Sequence, residues 1–147
     1  MAGISFINYI VDTMYYKTNP NFDAENTIEI SINEEVFADI DISKEEDVAI
    51  ITLQAKLKET SDVPFSFDAS IVGYFEYNSE ESDGIQFKEF LKTNAIAILF
   101  PYLRSIVSEL TGKSNRFPSY NMPVRNIAHE IAEKGNINIT AVSYTHL

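Results

Sequence analysis

The spacing of apolar residues changes once along this chain, and that change restricts the possible folds more than any other feature. Up to about Tyr77 apolar residues recur every second position, whereas from about Ile85 to Glu133 they recur every third or fourth. Strands that precede helices favour an α+β fold, since a parallel α/β sheet would alternate the two. At 147 residues the chain has the usual length of one domain.

Four segments predict the strands of an antiparallel sheet. Three alternate between apolar and polar side chains: "TIEISIN" at 27–33, "AIITLQAKLK" at 49–58 and "FSFDASIVGYFEY" at 65–77. The fourth, "SFINYIVDTMYY" at 5–16, is apolar on both faces, which predicts burial on both sides or a contact between subunits. The acidic stretches "SINEEVFADIDISKEED" and "NSEESDG" are predicted to be solvated loops.

A wide apolar stripe at helical spacing predicts the main helix. Its members are Ile96, Leu99, Phe100, Leu103, Ile106, Val107 and Leu110. Pro101 lies within this run, and proline costs about 3 kcal/mol in a helix interior but little in a first turn. The sequence therefore predicts a short helix from Gln86 to Lys92, a break near Leu99, and a main helix from Pro101 to about Thr111 that Gly112 ends as a C-cap.

The predicted main helix is apolar over more of its circumference than one sheet can cover. Ala95, Ile98 and Tyr102 lie largely off the stripe, so a second covering surface is implied. We expect a partner surface to cover it. The predicted oligomer-interface residues are Ile98, Tyr102, Ile106 and Leu110.

The segment "RFPSYNMP" at 116–123 predicts a stiff, non-helical connector, since Pro118 and Pro123 hold the residues before them extended. A last helix, "VRNIAHEIAEK", places Val124, Ile127 and Ile131 on one side and ends at Gly135.

Aromatic and methionine residues near this connector predict an apolar groove. Burial in the core is the simpler alternative for any one of them. However, connectors run over surfaces, and flexible Met with amphipathic Tyr suits a groove that accepts many apolar sequences. The predicted client-binding residues are Phe75, Tyr77, Phe117, Tyr120, Met122 and Ile127.

Charge and composition exclude several classes of partner. The chain has 22 acidic and 11 basic residues, a formal charge of −11, which argues against nucleic acid and anionic membranes. The absence of Cys excludes disulfides and thiolate sites and fits a reducing compartment. No basic-then-apolar leader and no run of about 18 apolar residues occurs. We therefore expect a cytoplasmic protein without membrane insertion.

No pattern of catalytic or cofactor-binding residues is present. His129 and His146 have no His or Cys at metal-ligand spacing, and no glycine-rich phosphate loop or nucleophile motif occurs. Asp68 and Glu76, eight residues apart in one predicted strand, lie roughly 26 Å apart, too far for paired acid and base catalysis. A hot-dog-fold thioesterase also cradles a long helix in a sheet, but no carboxylate or His begins the helix here. We expect a protein that is not an enzyme and needs no cofactor.

The second half of the chain resembles the SecB protein-export chaperone family. The match begins at "LFPYLR", the start of the main helix, and continues through the connector; a weaker match lies in the strand "FDASIVGYFEY". The matching residues are Leu99, Phe100, Pro101, Tyr102, Arg104, Phe117, Pro118, Asn121, Met122, Val124 and Asn126, with Asp68, Gly73 and Phe75 in the strand.

The resemblance implies an ATP-independent chaperone that keeps unfolded polypeptide clients competent for export or folding. It implies a homotetramer, a dimer of dimers in which the main helices pack between two sheets. Asp68 is the one acidic position carried over from the family's contact with the SecA ATPase. Relatives that serve toxin–antitoxin pairs leave an alternative open, a module dedicated to one partner such as an antitoxin or a phage protein.

Residues 1–135 are predicted to form a single SecB-like domain: a four-stranded antiparallel sheet, a long helix, a proline-rich connector and a short C-terminal helix. Residues 136–147 are predicted to be a tail. Its end, "AVSYTHL" at 141–147, resembles translated sequencing adapter, in which case Tyr144, His146 and Leu147 carry no function.

Overall fold

A computed structural model describes residues 3–27 and 29–142, which form one five-stranded sheet with helices on one face. The strands are β1 (Ile4–Thr18), β2 (Glu35–Ser43), β3 (Val48–Leu57), β4 (Phe65–Tyr77) and β5 (Ile137–Val142). Their order across the sheet is β1-β4-β3-β2-β5, antiparallel throughout except that β5 runs parallel to β2. The α+β class is confirmed, with five strands in place of four.

The second strand does not lie where "TIEISIN" predicts it. Residues 29–33 form no strand, and Ile28 lies outside the described residues. β2 is instead "EVFADIDIS", inside the stretch predicted to be a solvated loop. Its buried apolar residues also alternate, and they are Val36, Ala38, Ile40 and Ile42. The acidic residues Asp39 and Asp41 suggested a loop, but they lie between the buried positions and therefore point away from the core.

The main helix begins earlier than predicted, and the helical run is not interrupted near Leu99. α1 (Phe87–Phe90), a π-helical turn (Leu91–Ala95) and α2 (Ile96–Gly112) follow one another directly, so Pro101 lies inside α2. Proline removes the hydrogen bond to the carbonyl four residues earlier. That residue, Ala97, is exposed, so water can hydrate its carbonyl, which explains why the helix continues.

Two predictions about helix ends were wrong and one was right. Gly112 is the last residue of α2 and not a left-handed cap; its missing Cβ instead allows Ser119 to approach, since an added Cβ would lie 3.1 Å from Ser119 Cβ. α3 (Ile127–Glu133) ends before Gly135, which has φ +67° as a C-cap requires. Val124 precedes α3 and is 81% exposed, so it is not part of the helix's buried face.

The predicted tail contributes to the fold. Residues 137–142 form β5 beside β2, and the backbone N–H of Ala38 donates to the carbonyl of Asn136 at 2.9 Å. Residues 143–147, which include Tyr144, His146 and Leu147, lie outside the described residues.

α2 packs across β3 and β4, and their buried side chains form one core. Leu99 of α2 lies directly over Gly73 in β4, where an added Cβ would lie 2.6 Å from Leu99 Cδ2. Leu99 is fully buried. The absence of a side chain at Gly73 therefore sets the height of α2 above the sheet.

Gly73→Ala should lower the free energy of unfolding by about 1–3 kcal/mol, because the new methyl group overlaps Leu99 in a close-packed core. Urea unfolding measures the change. Asn8→Ala, an exposed position in β1 next to the residue that pairs with Gly73, serves as the control and should change stability by less than about 0.5 kcal/mol. Equal stability of Gly73→Ala and the wild type would contradict this account of the packing.

Candidate functional site: an apolar groove beside the connector

In the structure the connector spans residues 113–126, between α2 and α3. An apolar groove of about 270 Å³ opens on the surface between this connector and residues 29–33. Its lining residues, called the groove from here on, are Ile30, Ile32, Pro64, Phe65, Phe117, Pro118, Ser119 and Tyr120. The rings of Phe65 and Phe117 lie 6.3 Å apart, and Phe22 contacts Phe117 edge-on at 6.0 Å. Among the described residues no charged side chain lines this space, so it suits apolar ligands.

Polar side chains on one face of α2 fix the connector. Arg104 Nε donates to the carbonyl of Met122 at 2.7 Å, and Ser108 Oγ donates to Asn121 Oδ1 at 2.8 Å. Thr111 Oγ1 accepts from the backbone N–H of Tyr120 at 2.7 Å. Helical spacing puts these three α2 side chains on one face, so the connector runs antiparallel to the helix.

A buried carboxylate ties the same connector to the start of β2. The side chain of Glu34 is 4% exposed and accepts hydrogen bonds from the Tyr120 hydroxyl and from Arg125 Nη2, the latter at 2.8 Å. Arg125 Nε also donates to Glu130 Oε1 at 2.9 Å. The Glu34 network, made of Glu34, Tyr120, Arg125 and Glu130, thus joins β2, the connector and α3.

The network satisfies groups that would be costly to bury alone. Burial and the hydrogen bond to Glu34 raise the pKa of Tyr120, so its hydroxyl remains a donor at neutral pH. The hydrogen bond from Arg125 lowers the pKa of Glu130 below its ordinary value, so this carboxylate remains charged. The hydrogen bonds from Tyr120 and Arg125 to Glu34 tie the connector, which forms one wall of the groove, to the segment before β2.

The structure places two of the six predicted client-binding residues, Phe117 and Tyr120, in the groove. Phe75, Met122 and Ile127 are at most 2% exposed and belong to the core. In the connector, Met122 is buried between two exposed residues, Asn121 and Pro123, so its side chain points into the core. Tyr77 lies elsewhere: it stacks on Phe87 at 5.0 Å and donates to the carbonyl of Ile85 at 2.6 Å.

Sequence reasoning missed the other half of the groove. Ile30 and Ile32 alternate in "TIEISIN", and that signal was assigned to a strand when it marks an extended segment beside the connector. The pair formed by Glu34 and Arg125 is separated by 91 positions, and no local pattern predicts such a contact.

Of the predicted oligomer-interface residues, Ile98 and Tyr102 are 37% and 39% exposed, while Ile106 is buried and Leu110 half-buried. The Tyr102 ring lies 4.5 Å from that of Tyr9 in the edge strand β1. The exposed apolar side chains of β1 and α2 on the helix side of the sheet, called the β1–α2 surface from here on, are Val11, Met14, Ile98 and Tyr102; Ile10 and Tyr15 are exposed on the opposite face of β1.

The open face of the sheet carries the predicted SecA-contact residue. Asp68 accepts from Gln54 Nε2 at 2.8 Å, and on the neighbouring strand Asp12 Oδ2 accepts from Ser70 Oγ at 3.3 Å. His129 is an exposed residue of α3 that pairs with Glu133. Within residues 3–27 and 29–142, no group of three or more His, Asp or Glu side chains is arranged to hold a metal ion.

The helical run Phe87–Gly112 is long and apolar enough to cross a membrane when judged by length and composition alone. In the fold, α2 buries one face against β3 and β4, with Leu99, Leu103 and Val107 fully inaccessible. The run is therefore a core helix of this domain.

The contribution of Glu130 to stability should depend on pH. Because its pKa is lowered in the folded protein, its contribution is fully present above the ordinary value of 4.5 and is lost as pH falls through the folded value. Glu130→Gln should therefore destabilise the protein most at pH 7, and the difference from wild type should shrink below pH 4.5, as measured by urea unfolding across pH. A difference that stays constant would contradict this role.

Comparisons with known proteins connect this geometry to a family. The model of the family described as preprotein translocase subunit SecB matches residues 4–128. The uncharacterized protein MJ0357 of Methanocaldococcus jannaschii is 28% identical over 135 residues, which span 89% of this chain and 84% of that protein.

Two solved structures are similar. The SecB-like chaperone Rv1957 of Mycobacterium tuberculosis, in complex with a ChAD peptide from the Rv1956 HigA1 antitoxin, has a TM-score of 0.65 and 14% identity over 83% of this chain and 90% of its own. A protein of unknown function from Streptococcus agalactiae has a TM-score of 0.47 and 17% identity over 82% and 97%. The match to Rv1957 shows the SecB-like fold, and the family match covers β1 through the connector; the chain belongs to the SecB family.

Proposed function

We propose that this protein is an ATP-independent holdase that binds unfolded polypeptide segments in the groove and keeps them competent for export or folding. The observation that carries the proposal is the groove itself, an uncharged surface cleft bounded by Phe65, Phe117 and Tyr120 in a chain of the SecB family. The proposed activity is binding without catalysis.

Binding would draw on the hydrophobic effect. Each Å² of apolar surface removed from water contributes roughly 25 cal/mol. A groove of about 270 Å³ encloses only a short part of a client, so a single site binds weakly and releases readily. Several grooves on one oligomer hold one long client together, because the first contact raises the effective concentration for the next.

The surface charge would influence which clients are held. A formal charge of −11 keeps an oligomer soluble and repels acidic segments. Apolar segments with neutral or basic flanks are the favoured clients. The cytosol is the proposed compartment, in keeping with the absence of Cys.

We propose a homotetramer, a dimer of dimers assembled through the β1–α2 surface. A 15-residue edge strand with exposed Val11 and Met14 would otherwise favour uncontrolled aggregation. Covering it with sister subunits removes that hazard and brings several grooves into one particle.

A second candidate function is a chaperone dedicated to one partner, such as an antitoxin segment or a phage protein. The observation that favours it is the fold shared with Rv1957, a SecB-like chaperone solved with an antitoxin peptide. The two candidates differ in client range. A general holdase binds several unrelated, permanently unfolded proteins with similar affinity, whereas a dedicated chaperone binds at most one of them.

Docking on the SecA ATPase is a separate part of the export proposal. Asp68 and Asp12 offer carboxylates on adjacent strands of the open sheet face, remote from the helices. Loss of SecA binding by an Asp68→Asn variant, with client binding unchanged, is the outcome that export through SecA requires.

The groove can be tested by aggregation of a slow-folding client. We expect wild-type oligomer to suppress light scattering at stoichiometric concentration, and Phe117→Ser to weaken client affinity by about tenfold, as loss of an aromatic anchor does. Tyr74→Ser is the matched control, because Tyr74 is also half-buried but lies outside the groove. No suppression by wild type, or equal losses in both variants, would remove the proposal.

The assembly can be tested by light scattering at micromolar concentration. Wild type should have the mass of four 16.6-kDa chains, and Met14→Glu should reduce it, because a carboxylate in an apolar interface is costly to desolvate. Met14 is 61% exposed; the control Val124→Glu changes a residue that is 81% exposed outside the β1–α2 surface and should leave the mass unchanged. A monomeric wild type would contradict the tetramer.

A further inference from the structure

β5 covers an edge of the sheet that the other strands leave open. The family match ends at residue 128, before β5 begins at Ile137. Strands β1 to β4 form an antiparallel sheet bounded by β1 on one side and β2 on the other, and β5 adds to the β2 edge in parallel. This strand therefore lies outside the residues that the family model matches.

β5 buries little side-chain surface against the rest of the domain. Ile137 and Ile139 are half-buried, whereas Asn138 and Thr140 are exposed. Side-chain anchors are few: Asn136 Nδ2 donates to the carbonyl of Val36 at 3.3 Å, and Asn138 Nδ2 to Asp39 Oδ1 at 3.1 Å. A short edge strand held mainly by backbone hydrogen bonds belongs to the elements that open locally before the core does.

The acidic residues of β2 would pair better with a basic strand than with β5. Asp39 lies opposite Asn138, and Asp41 lies opposite Thr140, so each acidic residue faces a neutral one. Opposite charges in directly facing positions stabilise a strand pair. A strand with Lys or Arg at those two positions and branched aliphatic residues between them would gain two ion pairs that β5 lacks.

We infer that the β2 edge is a second polypeptide-binding site, one that takes extended segments in which basic and branched aliphatic residues alternate, and that β5 is its displaceable internal occupant. The inference rests on the proposed polypeptide-binding function, but the site is distinct from the groove. Binding follows the strand-addition mode, in which the backbone supplies affinity and alternate side chains supply specificity. Occupancy by β5 reduces the apparent affinity by the fraction of time that the edge is covered.

A disulfide lock tests displacement. The chain has no Cys, so Ala38→Cys with Ile137→Cys forms a single cross-link between facing residues of β2 and β5 and leaves Asp39 and Asp41 in place. The same protein also carries Phe117→Ser, which weakens binding of the peptide in the groove, so that the signal reports the β2 edge. The probe is a fluorescent peptide of alternating Lys and Ile. The oxidised protein should bind it at least about tenfold more weakly than the same protein after reduction.

Equal affinity in the two redox states, or no binding in either, would overturn the inference. The proposed function fails separately, because it is measured by aggregation suppression with an intact groove. If the disulfide does not change peptide binding and the protein with an intact groove still suppresses aggregation, the proposal of a second site fails while the proposed function stands.

The preference for basic peptides can be tested by removing the two carboxylates of β2. Asp39→Asn with Asp41→Asn should weaken binding of the Lys–Ile peptide several-fold and leave an alternating Ser–Ile peptide unchanged, since only the former gains ion pairs. Equal losses for both peptides would contradict selection by Asp39 and Asp41.

Discussion

The contact between Leu99 and Gly73 determines where α2 lies on the sheet, and the other surfaces depend on that position. An added Cβ at Gly73 would approach Leu99 Cδ2 to 2.6 Å, so a side chain at this position would displace Leu99 from its place in the core. The helix then directs Arg104, Ser108 and Thr111 toward the connector, and their hydrogen bonds fix the main chain from Tyr120 to Met122.

The groove exists because the connector is held from two sides. α2 holds it from one side, and the buried carboxylate of Glu34 holds Tyr120 and Arg125 from the other. A connector held in this way leaves Phe117 and Tyr120 half-buried beside the cleft. The same constraint places Met122 in the core, which explains why a residue that suits an adaptable surface is inaccessible here.

Local pattern predicted much of the fold and only part of the site. Alternation located β3 and β4, because each has residues that face one core; β-prone residues located β1, and helical spacing located α2. The same rule misplaced β2, since "TIEISIN" and "EVFADIDIS" alternate equally well and only the short turn to β3 decides between them. Prolines and aromatics indicated the connector wall of the groove, but the Glu34–Arg125 pair depends on tertiary contact, which spacing along the chain does not reveal.

The central claim is that unfolded polypeptide contacts the connector at Phe117 and Tyr120 and the facing segment at Ile30 and Ile32. Chemical-shift changes in an NMR titration with a permanently unfolded protein test it most directly, with methyl and aromatic signals assigned across the chain. The account predicts that the earliest and largest changes occur at these four side chains, while buried Phe75 and Ile51 respond little. Changes confined to other surfaces, with the groove signals unaltered, would contradict it.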